Sequence, residues 1–498
     1  MTDHSVSAFL AGLAGALADH SVPLPGEFGL EIGGRTVEPR EWSTDLDPAT
    51  GAPLARVGTA ATEEIDQAVH TARASAPTWA ALAPAERGRR LRRLADLVRE
   101  HADVLARLET RDTGKPITQG RSDIAAAARY FEFYGGAVEG FLGDSIPLGD
   151  GSLAVVERVP HGVTGHIVPW NYPAQITARS VAASLAVGNA AVVKPADEAP
   201  LVALCYARLA TVAGIPDGVF NVVPGGANAG AALTGHTEVD HVSFTGSVRT
   251  GRAVARACAD RGRPVLLELG GKSAHIVFDD ADLDRAVPVI ARALLLHAGQ
   301  TCTAGTRVIV DQRAHDDVVA ALRPYFESAS LGLGLTDPEV GPVISASQAA
   351  RVRDLAAMAE AEGAVSAATV ADVPAAGSFV APMLFDNVSR TSTLFHEEVF
   401  GPVLAITSVD GEQEAVEAAL DSRYGLTAAV WSRDVDRALR VARSLDVGQT
   451  FVNGYAPGGG VELPFGGTRD SGYGREKGIE AFTEYTRSRT LFIDIAKR

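Results

Sequence analysis

The sequence predicts an α/β protein: a doubly wound, largely parallel sheet followed by a second α/β unit. Three observations lead there. Between about residue 155 and Leu269, strand-like and helix-like segments alternate, as a parallel sheet with crossover helices requires. The alternation restarts at 274–278 and runs on to about Val452. At 498 residues the chain also exceeds what one small core can organise, so two or three domains are expected.

In chain order, the first forty residues read as irregular, because Pro23, Pro25 and Gly26 interrupt any helix. Residues 9–18 are mildly apolar, yet Asp3 and His4 precede them in place of a basic stretch, so no signal peptide is expected. Ile32-Gly33-Gly34-Arg35 reads as a tight hairpin turn, and 47–51 as a second turn leading into a strand at 53–57. Thr62 followed by Glu63 and Glu64 reads as a helix start, with the threonine capping and the acids matching the helix dipole.

From 84 to 109, Leu91, Leu94, Leu97, Val98, Leu105 and Leu108 recur at helical spacing, with arginines on the opposite, solvated face. Another helix is expected over 119–138. Strands follow at 155–159 and 163–168, the latter ending at Pro169. The alternating run then comprises strands at 190–193, 219–223, 241–245 and 265–269, and helices at 201–213, 227–233 and 250–261. Residues 364–376 are alanine-rich and read as a surface loop or a frayed helix. No repeat of solenoid period is present.

Composition narrows the function classes. Hydrophobic residues make up 46% and charged residues 21%, an ordinary globular balance. The net charge of −16 argues against nucleic acid or an anionic membrane as the main partner. No apolar run reaches the length of a membrane span. Cys205, Cys258 and Cys302 are too few and too scattered for a disulfide framework or a zinc cluster. A cytoplasmic protein without a metal site is expected.

Several fragments could carry chemistry. Gly299-Gln300-Thr301-Cys302 sets a cysteine beside glycine-rich backbone, downstream of Glu268 in Leu267-Glu268-Leu269-Gly270-Gly271-Lys272. A thiolate attacks electrophilic carbon, and a carboxylate in an apolar site activates water, which together suggest a covalent thioester. Pro169-Trp170-Asn171-Tyr172-Pro173 holds an asparagine amide, a suitable oxyanion donor, in a stiff segment after a strand. Lys194-Pro195-Ala196-Asp197 follows a strand end, where doubly wound sheets bind nucleotides. Phe244-Thr245-Gly246-Ser247 opens a helix with the backbone freedom and amides that suit a phosphate. Taken singly, each has a plain structural explanation: an inert thiol, a packed aromatic turn, a capped helix, a buried ion pair.

Their order along the chain changes the balance, because it resembles that of the aldehyde dehydrogenase superfamily. The likeness runs from Ile32 to Arg489 through Pro169–Pro173, Lys194–Asp197, Phe244–Gly251, Leu267–Lys272, Gly299–Cys302 and Glu397–Pro402. A C-terminal signature at Pro464–Gly467 and Ser471–Glu476 completes it. The resemblance implies a Rossmann-like cofactor domain (26–137 and 160–269) and a second α/β catalytic domain (270–482, its last part packing back on the first). It also implies a small β oligomerisation ribbon (138–159 and 483–498) that makes homodimers or homotetramers.

The resemblance further implies an enzyme that oxidises a small-molecule aldehyde. Cys302 would be the nucleophile, Glu268 the general base, and Asn171 with the Cys302 amide the oxyanion site. Glu268 sets the chain apart from the family's CoA-acylating branch. Cofactor contacts would come from Val168, Pro169, Trp170, Lys194, Asp197, Gly246, Ser247, Leu269, Glu398 and Phe400. Asp197 stands where glutamate is common in NAD-using members; its charge still repels a 2′-phosphate, so NAD is expected, with NADP the alternative.

The substrate tunnel would be lined by Tyr172, Ile176, Arg179, Leu296, Thr301, Thr303 and Tyr455, with Leu295 and Pro457 nearby. This lining suits an apolar or aromatic aldehyde. Arg179 keeps open a semialdehyde dehydrogenase that holds a substrate carboxylate, or else a structural ion pair. Two other classes remain: a cysteine hydrolase, for which only His297 lies near Cys302 in sequence, and a non-catalytic binding protein.

Overall fold

The computed structural model describes residues 3–149, 151–456 and 459–495. Pro457 and the last three residues of the expected ribbon lie outside the described residues. Two mainly parallel sheets organise the chain, confirming the α/β expectation. The first has eight strands in the order Gly472–Tyr473, Val265–Glu268, His241–Thr245, Val163–Val168, Ala190–Pro195, Phe220–Val222, Leu30–Ile32 and Arg35–Val37. Its five central strands are parallel.

Alternation of side chains explains how both faces are covered. Ala191 and Val193 face a core built with helices Pro173–Val187 and Leu201–Val212. Ala190 and Val192 face Ile65, Ala68, Val69 and Ala72 of helix Thr62–Ala80, together with Leu233. Strands buried on both sides need apolar residues at every position, which is why Ala190–Val193 reads as a continuous apolar run.

The second sheet runs Val365–Thr369, Met383–Asp386, Val403–Val409, Arg307–Asp311, Ala274–Val277, Thr427–Trp431 and Gln449–Val452. All its pairings are parallel except the first. A separate antiparallel ribbon joins Asp144–Pro147, Ser152–Pro160 and Thr486–Asp494. The last of these is nine residues long and an edge strand, and Phe492 on it is 60% exposed. No described helix is long and apolar enough to cross a membrane.

Gly472–Tyr473 pairs antiparallel with Val265–Glu268, placing Gly472 opposite Glu268. Gly472 has φ +108°, and a side chain there would collide with the Leu267 carbonyl, so only glycine closes this edge.

Four local expectations need correction. Residues 3–14 form a helix, Asp3–Ala14, and Val6, Leu10, Leu13 and Leu17 are buried. Their spacing of three and four was the signal, whereas the prolines lie beyond the helix. Thr62 does not cap its helix. Ala61 occupies the cap, and the Glu64 carboxylate accepts its N–H at 2.9 Å. The segment 84–109 divides at His101 into Pro84–Glu100 and Ala102–Thr113, so leucines of both helices reach one core. Within 364–376, Val365–Thr369 is an edge strand that buries Ala368.

Candidate active site

The strand Val265–Glu268 ends the first sheet's parallel run, and residues 269–273 cross to Ala274–Val277 of the second. A side chain at Gly270 would collide with the Glu398 carboxylate, and one at Gly271 with the carbonyl oxygen of Cys302. Bare glycine therefore lets both groups approach the crossing. The Gly271 amide donates to Glu398 Oε1 at 2.9 Å. Burial pushes the Glu398 carboxyl up to about 7.

Cys302 follows helix Leu283–Leu295 and a tight turn in which His297 (φ 49°) and Ala298 (φ 52°) are left-handed. Such backbone is costly for residues with a Cβ and persists only when its surroundings hold it. They do. Asn171 Nδ2 donates to the Gln300 carbonyl at 2.9 Å. The Tyr172 hydroxyl pairs with Thr301 Oγ1 at 2.8 Å, and the Tyr455 hydroxyl donates to the Thr303 carbonyl at 2.7 Å. Gln300 Oε1 accepts the Ile344 amide at 2.8 Å, and Gln119 Oε1 accepts that of His297 at 2.9 Å.

The main chain on both sides of Cys302 is thus fixed by Asn171, Tyr172 and Tyr455, which the sequence singled out, and by Gln119, which it did not. Asn171 Nδ2 carries a second hydrogen that this bond does not use. Cys302 is partly exposed, and burial of its sulfur pushes the thiol up to about 12, against an opposing pull from Arg179.

Glu268 is 2% exposed, and neither carboxylate oxygen has a hydrogen-bond partner. Burial, with the neighbouring Glu476 adding to it, holds its carboxyl well above the usual range. Oε1 lies against Gly466 of the C-terminal signature. Glu476 is itself buried in an ion pair with Arg179. The Arg179 guanidinium also stands 5.1 Å from the Phe465 ring, with Lys477 Nζ 5.8 Å from the same ring. The charge of Arg179 is therefore answered within the protein. Glu476, unassigned by sequence reasoning, enters the site through this pair.

Around the carboxyl ends of the first sheet, Lys194 Nζ lies 3.6 Å from Asp197 Oδ1, and the Asp197 side chain is 51% exposed. Ser247 caps helix Val248–Ala259, its Oγ accepting the Thr250 amide at 3.3 Å. The Gly246 amide donates to the Glu268 carbonyl at 2.9 Å, and Leu269 packs against Gly251. Trp170 follows Val168 and Pro169 at the end of strand Val163–Val168 and meets Phe400 edge to face, ring centres 5.3 Å apart. An exposed carboxylate after Ala190–Pro195 and a capped helix start after His241–Thr245, two strands away in the sheet, are the kinds of group that suit a dinucleotide.

On the other side, Ile176 and Thr303 are buried and Leu296 is half-buried. Tyr455 packs on His275 and Phe451, so with Thr303 it holds the loop as well as bordering it. His297 is buried between Trp170 and Tyr172, and neither ring nitrogen has a hydrogen-bond partner. It forms no Cys–His pair, which removes the base that a cysteine hydrolase needs.

The one grouping of metal-ligand type among the described residues, Asp66, His70 and His236, lies at the surface away from these groups. The Glu238 amide donates to His236 Nδ1, so the proton sits on Nε2 and points at Asp66, 3.1 Å away. That is a hydrogen-bond network, since a metal on Nε2 would need the proton on the other nitrogen.

The family model described as "Aldehyde dehydrogenase family" matches residues 37–491. A betaine aldehyde dehydrogenase of Mesorhizobium japonicum is 41% identical, covering 90% of this chain and 93% of that protein. The NAD+ complex of an aldehyde dehydrogenase from Bacillus cereus superposes with a TM-score of 0.93 at 36% identity, covering 100% of this chain and 99% of that one. The NAD-dependent aldehyde dehydrogenase from Sinorhizobium meliloti gives a TM-score of 0.92 at 33% identity, covering 95% and 96%.

Proposed function

Because the chain belongs to the aldehyde dehydrogenase family, we propose that it oxidises an aldehyde to the carboxylic acid with NAD, through an adduct on Cys302. One observation carries this reading: the Asn171 amide is bonded to the Gln300 carbonyl, two residues before the thiol, with a hydrogen to spare.

The Cys302 thiol gives its proton to solvent water as sulfur adds to the carbonyl carbon, a step that the Arg179 charge favours. The oxyanion formed is met by Asn171 Nδ2 and the Cys302 amide. Bound NAD supplies the hydride acceptor that converts this adduct into the thioester. Glu268, once ionised, takes a proton from water as the water attacks the thioester, and Cys302 leaves as thiolate. Asp197 repels a 2′-phosphate and so favours NAD over NADP.

The substrate we favour is an apolar aldehyde, aliphatic or aromatic, because Leu296 lies in the loop that carries the thiol and the Tyr172 ring packs on His297 of the same loop. A semialdehyde loses support, since Arg179 already has a carboxylate. The second reading is a quaternary-ammonium aldehyde, suggested by the names of the relatives. Against it, the buried Arg179 charge, which pulls on the Cys302 thiol, would repel a cationic substrate group near it.

A panel of hexanal, benzaldehyde, succinic semialdehyde and betaine aldehyde, followed by NADH and NADPH absorbance, tests the proposal. Absence of turnover on all four with either cofactor would sink it. A kcat/KM highest for betaine aldehyde would replace the apolar substrate. A cytoplasmic homo-oligomer assembled through the ribbon edge Thr486–Asp494 belongs to the same proposal.

A further inference from the structure

Lys115 lies in the turn between helices Ala102–Thr113 and Ile117–Ala137, and its side chain is fully buried. An ammonium has three hydrogens, and here each has an acceptor. Nζ donates to Glu109 Oε1 at 2.8 Å, to Asp123 Oδ2, and to the main-chain carbonyl of Asn171 at 3.0 Å. It also stands 4.4 Å from the centre of the Tyr172 ring. The two carboxylates reach the same segment with their other oxygens: Glu109 Oε2 accepts the Ala174 amide, and Asp123 Oδ1 accepts Gln175 Nε2.

This grip lies opposite the catalytic loop. The Asn171 carbonyl is held by Lys115 while its side-chain amide is held by Gln300. Fixing both ends leaves that residue no freedom to turn. Tyr172 has no side-chain cap for helix Pro173–Val187, and Glu109 supplies the missing acceptor. A buried lysine with two acids is an expensive way to gain stability, because apolar side chains of similar volume often serve as well or better. Its geometry makes sense if orientation is what it provides.

We propose that Lys115 is a positioning residue for the oxyanion site: by fixing the Asn171 carbonyl it aims the Asn171 amide at the oxygen of the carbonyl group attacked by Cys302. The proposal rests on the reading of Asn171 as oxyanion donor, and the experiment separates the two.

Single-turnover NADH formation is measured with NAD and the fastest aldehyde of the panel. Acylation by 4-nitrophenyl acetate gives a cofactor-free readout of the same oxyanion. The enzymes are wild type, Asn171→Ala, Lys115→Met and the double variant, with each Tm recorded separately. Asn171→Ala should slow both reactions by about 10²–10³-fold, and Lys115→Met by about 10- to 100-fold. The double variant should be no slower than Asn171→Ala alone, because Lys115 acts only through Asn171.

If Lys115→Met folds poorly, Lys115→Met with Asp123→Asn removes one of the two acids left without their cation and should show the same loss. A Lys115→Met enzyme with a lowered Tm but rates within about twofold of wild type would make the lysine purely structural. Losses that multiply in full in the double variant would equally overturn the positioning role. Unchanged rates in Asn171→Ala would instead remove the oxyanion reading, and this inference with it.

Discussion

Arg179 is buried in an ion pair with Glu476, and Glu476 in turn raises the proton affinity of Glu268. An arginine that might hold a substrate's carboxylate therefore holds the protein's own. Arg179→Ala should leave Glu476 unpaired and destabilise the fold by about 3–5 kcal/mol. Activity should fall by a similar factor on every aldehyde of the panel. Loss confined to succinic semialdehyde would restore a substrate-binding role.

Glu268→Gln should separate the two halves of the reaction. The variant is expected to keep a burst of NADH near one equivalent and lose steady turnover by about 10²–10⁴-fold. Equal loss of burst and turnover would show that Glu268 also serves the first half.

The pH dependence follows from the same burial. The Glu268 carboxyl is raised well above 4.5, so the proton is retained until well past the usual range. Where deacylation limits turnover, kcat should rise with pH through the folded-state value. Stability runs the other way. Its contribution from Glu268 is complete below 4.5 and is lost as pH rises through the folded value, because the unfolded chain ionises first. Glu268→Gln should therefore gain in Tm over wild type at pH 9 relative to pH 4; a Tm difference independent of pH would contradict this.

The Cys302 thiol, pushed up to about 12, should react slowly with iodoacetamide at pH 7 in the free enzyme. Its alkylation rate should climb steadily between pH 7 and 10. A plateau near pH 7 would reveal a thiolate that burial does not suppress.

Asp197→Ser should raise kcat/KM for NADP at least about tenfold while lowering that for NAD, since the carboxylate both accepts from ribose hydroxyls and repels phosphate. Steady-state kinetics with the two cofactors checks this. A wild-type enzyme that favours NADP would refute the assigned role.

Much of the site was legible because its residues sit in short, ordered segments: Asn171 between two prolines, Glu268 before a glycine pair, Cys302 after another glycine. Lys115 and Glu476 were not, because their meaning lies in contacts across the fold. Nothing near Lys115 in sequence announces Asn171. Glu476 fell inside a recognised signature yet gained a role only when Arg179 was placed beside it. Among fold elements, Val365–Thr369 escaped notice because two alanines and a serine carry little strand preference, and pairing with Met383–Asp386 supplies what the residues lack. The helix Asp3–Ala14 is marked by Val6, Leu10 and Leu13 at helical spacing, and Pro23 and Pro25 lie beyond its end and do not bear on it.

The strand Gly472–Tyr473 has a bearing on biosynthesis. On a ribosome, Val265–Glu268 emerges long before the short strand that shields its flank. The flank of Glu268 is thus completed only near the end of translation, by a segment made some two hundred residues after the strand it pairs with.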